Sequence, residues 1–94
     1  MSMEFEWDEA KRWGNVAKHG VDFLDATALF DGRPVVTVLG QHPDEPRFLT
    51  TGELDGRFYT VVWTWRGEVI RLISARRARD AEQRAHRSLH GGRD

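Results

Sequence analysis

The sequence contains no cysteine, which excludes disulfide frameworks and thiolate metal sites and permits a reducing compartment. It also has no long apolar run. Residues 1–8 carry three acids and no hydrophobic stretch, so neither a signal peptide nor a membrane-spanning helix is expected, and the expected location is the cytoplasm. Internal repeats, low-complexity tracts and linkers are missing too. A chain of 94 residues suits one core better than two, so a single domain over residues 1–94 is expected. Aromatic residues are not scarce: four Trp and five Phe, with 39% hydrophobic and 31% charged residues, mark a chain that folds.

The formal charge of −1 conceals a division. Residues 1–45 hold four Lys and Arg against nine Asp and Glu, a balance of −5, whereas residues 46–94 hold ten against six, a balance of +4. Local clustering, rather than the total, decides where phosphates bind, so the second half reads as a footprint for a polyanion. A salt-bridged surface between the two halves fits the same numbers.

Local signals predict an α+β chain: two N-terminal helices, a four-stranded antiparallel sheet and a C-terminal helix. After a short extended lead from Phe5 to Trp7, Asp8 is placed to cap a helix that ends at Lys18-His19-Gly20, where glycine supplies the left-handed residue. Asp22 caps a second helix with Phe23, Ala26, Leu29 and Phe30 at helical spacing, closed by Asp31-Gly32. Beyond Pro34 the texture turns β-branched. Residues 35–39, 47–52, 57–65 and 69–76 read as strands, with a polar loop around residues 41–46 and tight turns at Asp55-Gly56 and Arg66-Gly67. Residues 78–89 are rich in helix formers, and Gly91-Gly92 marks their end.

Pairing Thr64 with Val69 across the second hairpin sorts two faces. Tyr59, Val61, Trp63 and Trp65 with Ile70 and Leu72 form the face that should hold the helices. Phe58, Thr60, Val62 and Thr64 share the other with Val69, Arg71, Ile73 and Ala75. An unpaired buried guanidinium is costly, so Arg71 is expected to face solvent or a ligand, or else to pair with an acid from the N-terminal half. On this parity Arg76 lies on the opposite face from Arg71. The two can serve one phosphate only if the strand end twists or bulges.

Five arginines, at positions 66, 71, 76, 77 and 79, fall within fourteen residues, across a hairpin, a strand and a helix start. Guanidinium groups bind phosphate oxygens bidentately and stay charged at physiological pH, and the helix start adds amide donors, so this segment is the candidate phosphate site. Solvated surface remains the plainer reading for any one of them. Lys18 and His19 at the end of the first helix supply a cation and a candidate acid or base, or simply a cap. Glu82, His86 and His90 recur every four residues along one helix face. That spacing can hold a metal, but a tail weakened by Gly91-Gly92 is a poor support, so proton transfer, RNA contact or plain solvation is the better reading of Glu82 and His86, and no metal or other cofactor is expected. Of the strand aromatics Trp63, Trp65, Phe48 and Tyr59, Trp65 at the hairpin edge is the one placed to stack a base.

Two blocks, Lys18-His19-Gly20-Val21 and Arg71-Leu72-Ile73-Ser74-Ala75-Arg76, carry most of the specificity of a family resemblance. The order Phe5-Glu6-Trp7-Asp8 with Lys11, then Asn15, Lys18-His19-Gly20-Val21 and Phe23, followed by Arg47-Phe48, Thr64, Arg66 and Arg71-Leu72-Ile73-Ser74-Ala75-Arg76, resembles the BrnT-type toxins of type II toxin–antitoxin systems. The resemblance covers most of the chain, from Phe5 to about His86. It implies a RelE-like ribonuclease fold, metal-independent RNA cleavage that halts translation, and neutralisation by a BrnA-type antitoxin carrying a ribbon–helix–helix DNA-binding domain. A 2:2 assembly that reaches operator DNA only through the antitoxin is implied as well. Carried onto this sequence, the motifs point to Arg71, Arg76, His19 and Lys18 for catalysis and to Arg47 and Arg66 for the RNA backbone, beside Arg77, Arg79, Glu82 and His86 from the charge pattern. Where similar proteins carry an aromatic four residues after the glutamate, His86 stands here, able to stack or to transfer a proton. The rival reading is a non-catalytic RNA- or antitoxin-binding module that acts as a co-repressor.

Overall fold

Side chains named from the sequence as caps do cap the helices. In the computed structural model, which describes residues 3–91, α1 spans Glu9–His19 and the Asp8 carboxylate accepts from the Lys11 amide at 3.1 Å. Gly20, at φ 71°, closes it with an amide donated to the Val16 carbonyl, a conformation that costs glycine little. Asp22 caps α2 (Phe23–Ala26), which tightens into a 3-10 turn over Thr27–Phe30. Arg12 locks the two helices together by donating Nε and Nη2 to the Asp22 carboxylate at 2.8 and 3.0 Å, which holds that carboxyl below its usual range.

The sheet differs from expectation. It has five strands and is mixed: β1 (Glu4–Glu6), β2 (Val35–Gly40), β3 (Arg47–Leu54), β4 (Arg57–Arg66) and β5 (Val69–Arg77) lie in the order β1-β5-β4-β3-β2. The four antiparallel strands stand as expected, but β1 adds a parallel edge, with Glu4, Phe5 and Glu6 opposite Val69, Ile70 and Arg71. Three residues with one apolar side chain are too short to show a strand period, and their partner lies far along the chain, so no local signal announces this strand.

The second hairpin also turns one residue later than expected, which moves its pairing register by two. Gly67-Glu68 forms the loop, with Gly67 at φ 63°, and Arg66 pairs with Val69. A shift of two preserves which face each side chain takes, so Ile70 and Leu72 stay on the helix side with Trp65 and Trp63. Further along β5 the parity changes. Leu72 pairs with Trp63 but Ser74 pairs with Val62, which leaves Ile73 as a bulged extra residue. Ala75 therefore joins Val61 on the helix side, correcting its expected face, and Arg76 joins Thr60 on the other.

One sheet face is the core. Phe23, Ala26 and Leu29 bury completely against Val61, Ile70, Leu72 and Ala75, and Phe30 and Phe48 flank Trp63 at centroid distances of 5.4 and 4.8 Å. Where β1 stops, α1 takes over the edge of β5: buried Asn15 donates to the carbonyls of Val21 and Ala75 and accepts from the Ala75 amide. The C-terminal helix α3 (Asp80–His86), continued by a π-helical turn over Arg87–Gly91, packs across part of the opposite face. Gly92, expected to help end this helix, lies outside the described residues.

Candidate nucleic-acid interface

The face opposite the core carries the basic residues. Side chains alternate along a strand, and directly opposed residues share a face, so the ladder can be read outward from Thr60 and Thr64. Thr60 pairs with Arg76 and Thr64 with Arg71 on one side, while Thr51 pairs with Thr60 on the other, bringing Leu49 and Arg47 to the same face by alternation. Arg66, two residues beyond Thr64, joins them. Arg47, Arg66, Arg71 and Arg76 thus line one face, and Arg76 does so only because Ile73 bulges.

Each of the two central guanidiniums has an internal partner. Arg71 Nη1 donates to Glu6 Oε2 at 2.8 Å, and the Arg66 Nε lies 3.9 Å from the same oxygen. Of the two outcomes open to Arg71, the ion pair with an N-terminal acid is the one found, though its side chain keeps 28% of its surface exposed. Arg76 is held more tightly. Its Nη1 and Nη2 donate to the two oxygens of Glu82 at 2.8 and 2.9 Å, while Thr60 Oγ1 and the Arg79 amide donate to Glu82 Oε1. Because Thr60 has a single proton and gives it to a carboxylate, the 2.7 Å contact between Thr51 and Thr60 has Thr51 as its donor. This network, led by the Arg76 guanidinium, lowers the Glu82 carboxyl from 4.5 to about 2. A carboxylate so acidic is a weak base near neutrality, which counts against proton transfer by Glu82.

The remaining sequence candidates scatter. Lys18, exposed, and His19, half-buried, close α1 beside the β5 edge, and among the described residues no ion pair or side-chain hydrogen bond joins either to the arginines. Arg77 falls on the core side of the sheet, its guanidinium 5.7 Å from the Tyr59 ring centroid. Arg79 is exposed at the N-cap of α3, its own amide already donated to Glu82. His86 is buried: it meets Phe58 edge-on at 5.0 Å and donates from Nε2 to the Pro34 carbonyl. Its ring fills the place between helix and sheet rather than facing outward. Trp65, half exposed, stands on the core side against Trp63.

Glu82, His86 and His90 are each engaged elsewhere, His90 with the Val35 carbonyl, and among the described residues no three His, Cys, Asp or Glu side chains gather as a metal site. Sequence reasoning missed Glu6 as a member of the site, since only the long-range parallel pairing of β1 brings it to Arg71. It also gave Thr60 no part beyond its face.

Fold and site together define a small α+β domain with a mixed five-stranded sheet, one face buried under helices and the other lined with arginine. The family model described as "Ribonuclease toxin, BrnT, of type II toxin-antitoxin system" matches residues 7–82, and the chain belongs to that family. Membership makes RNA the target and an antitoxin the partner. Comparison with curated proteins finds no match. No helix among the described residues is long and apolar enough to cross a membrane.

Proposed function

We propose that this chain is an endoribonuclease toxin that cleaves RNA on its arginine-lined sheet face without a metal ion. The observation that carries the reading is the Ile73 bulge, which puts Arg71 and Arg76 on one face with Arg47 and Arg66. Metal-free cleavage uses the 2′-hydroxyl of the substrate as nucleophile, so the protein must hold it in line with the scissile bond and stabilise charge on the phosphorane-like transition state. Arg71 takes the second task, having Nε and Nη2 uncommitted among the described residues. Arg76, fixed by Glu82, contributes field and position, while Arg47 and Arg66 hold flanking phosphates. Lys18 and His19 are the candidates for proton transfer or phosphate binding from the end of α1. The carboxylates nearest Arg71 and Arg76, Glu6 and Glu82, are already bound to guanidinium groups, an arrangement that suits charge stabilisation better than metal binding.

The partner in this reading is a BrnA-type antitoxin with a ribbon–helix–helix domain, joined in a 2:2 complex that represses its operon and works in the cytoplasm. The test is incubation of the purified protein with single-stranded RNA in excess EDTA. Cleavage supports the enzyme; salt-sensitive binding without cleavage supports instead a non-catalytic module acting as co-repressor.

A further inference from the structure

Glu6 ends the three-residue strand β1, directly in register with Arg71. Its Oε2 meets two guanidiniums from the two arms of one hairpin, Arg71 at 2.8 Å and Arg66 at 3.9 Å. Without an anion between them these cations would repel and splay, because they stand at diagonal positions across a two-stranded ladder, roughly 7–8 Å apart at the backbone. Parallel pairing to Val69, Ile70 and Arg71 fixes the backbone that presents the carboxylate.

Glu82 and Glu6 act differently on their arginines. Glu82 takes both terminal nitrogens of Arg76 and adds Thr60 and the Arg79 amide, which ties α3 to the sheet. Glu6 takes one nitrogen of Arg71, and with side-chain exposures of 28% and 36% the pair contributes little to stability. What it does fix is direction. With Nη1 anchored toward β1, the planar guanidinium is left with its remaining donors for a ligand.

We propose that Glu6 is a positioning residue for RNA cleavage, holding Arg71, with Arg66 beside it, in the orientation that meets the scissile phosphate. The proposal rests on the assignment of this face as the RNA site. It is tested by steady-state and single-turnover cleavage with Glu6→Ala, Glu6→Asp, Arg71→Ala and the Glu6→Ala/Arg71→Ala double variant, each checked for folding by its melting temperature. Glu6→Ala is expected to lower kcat roughly 10- to 100-fold, the scale of a misplaced catalytic group, with KM unchanged or lower because a negative charge has left the RNA face. Glu6→Asp should recover part of the rate. The double variant should be no slower than Arg71→Ala alone, since Glu6 acts through Arg71. A Glu6→Ala protein that cleaves at the wild-type rate or faster overturns the proposal, as does a loss that multiplies with that of Arg71→Ala. Should Arg71→Ala itself cleave like wild type, the RNA-site assignment falls; should Arg71→Ala be slow and Glu6→Ala fast, only the role of Glu6 falls.

Discussion

Arg76 at the end of β5 and Glu82 in the first turn of α3 meet through two hydrogen bonds, of 2.8 and 2.9 Å, that pin the C-terminal helix to the arginine-lined face. The pair is mostly shielded, with side-chain exposures of 15% and 21%. Its pH dependence follows from the lowered Glu82 carboxyl, at about 2 in the fold against 4.5 ordinarily. A depressed acid contributes its stability in full above the unfolded value and loses it as pH falls toward the folded one, so this contribution should fade between about pH 4.5 and pH 2. Urea unfolding across that range should show wild type losing more stability than Glu82→Gln. Equal losses would contradict the assignment. Asp31, held at about 2 by Arg33, loses stability over the same range in both proteins and so cancels in the comparison.

Asn15 should be a stability residue of the first order. Its side chain satisfies the amide and carbonyl of Ala75 and the carbonyl of Val21 at a buried site. Asn15→Ala strands backbone groups that water cannot reach, at about 1–3 kcal/mol for each left unpaired, and should lower the melting temperature accordingly. A change within about 0.5 kcal/mol would mean that α1 does not seal the edge of β5 in this way.

RNA affinity should fall steeply with salt. Three arginines engaging phosphate, Arg47, Arg66 and Arg71, correspond to a slope of log K against log salt of roughly −2 for a single strand, and Arg66→Ala should flatten it by about 0.7. Binding measured by fluorescence anisotropy between low and high salt reads both numbers. Loss of affinity with no change in slope would place Arg66 away from the RNA backbone.

Much of the fold was legible in the sequence because its signals are local. Asp8, Gly20 and Asp22 act within a turn of their own position, and β-branched runs between Pro34, Asp55-Gly56 and Gly67 mark β2 to β5. The arginine density between residues 66 and 79 was legible for the same reason. Its division was not. Whether Arg76 or Arg77 shares a face with Arg71 turns on the single extra residue Ile73, and a bulge in a continuous run of good strand formers has no compositional mark. Glu6 was hidden because its meaning lies in a parallel pairing that spans most of the chain, and His86 because its surface-like helix spacing says nothing of the Phe58 ring beneath it.

The most direct test of the central claim is single-turnover cleavage of single-stranded RNA in excess EDTA by wild type and Arg71→Ala, compared at matched folded fraction. The arginine-face account predicts that wild type cleaves and that Arg71→Ala is slower by about 10²- to 10³-fold, as for loss of one preorganised transition-state donor, with a melting temperature close to wild type. Cleavage by Arg71→Ala at the wild-type rate, or none by wild type until a divalent ion is added, would contradict it.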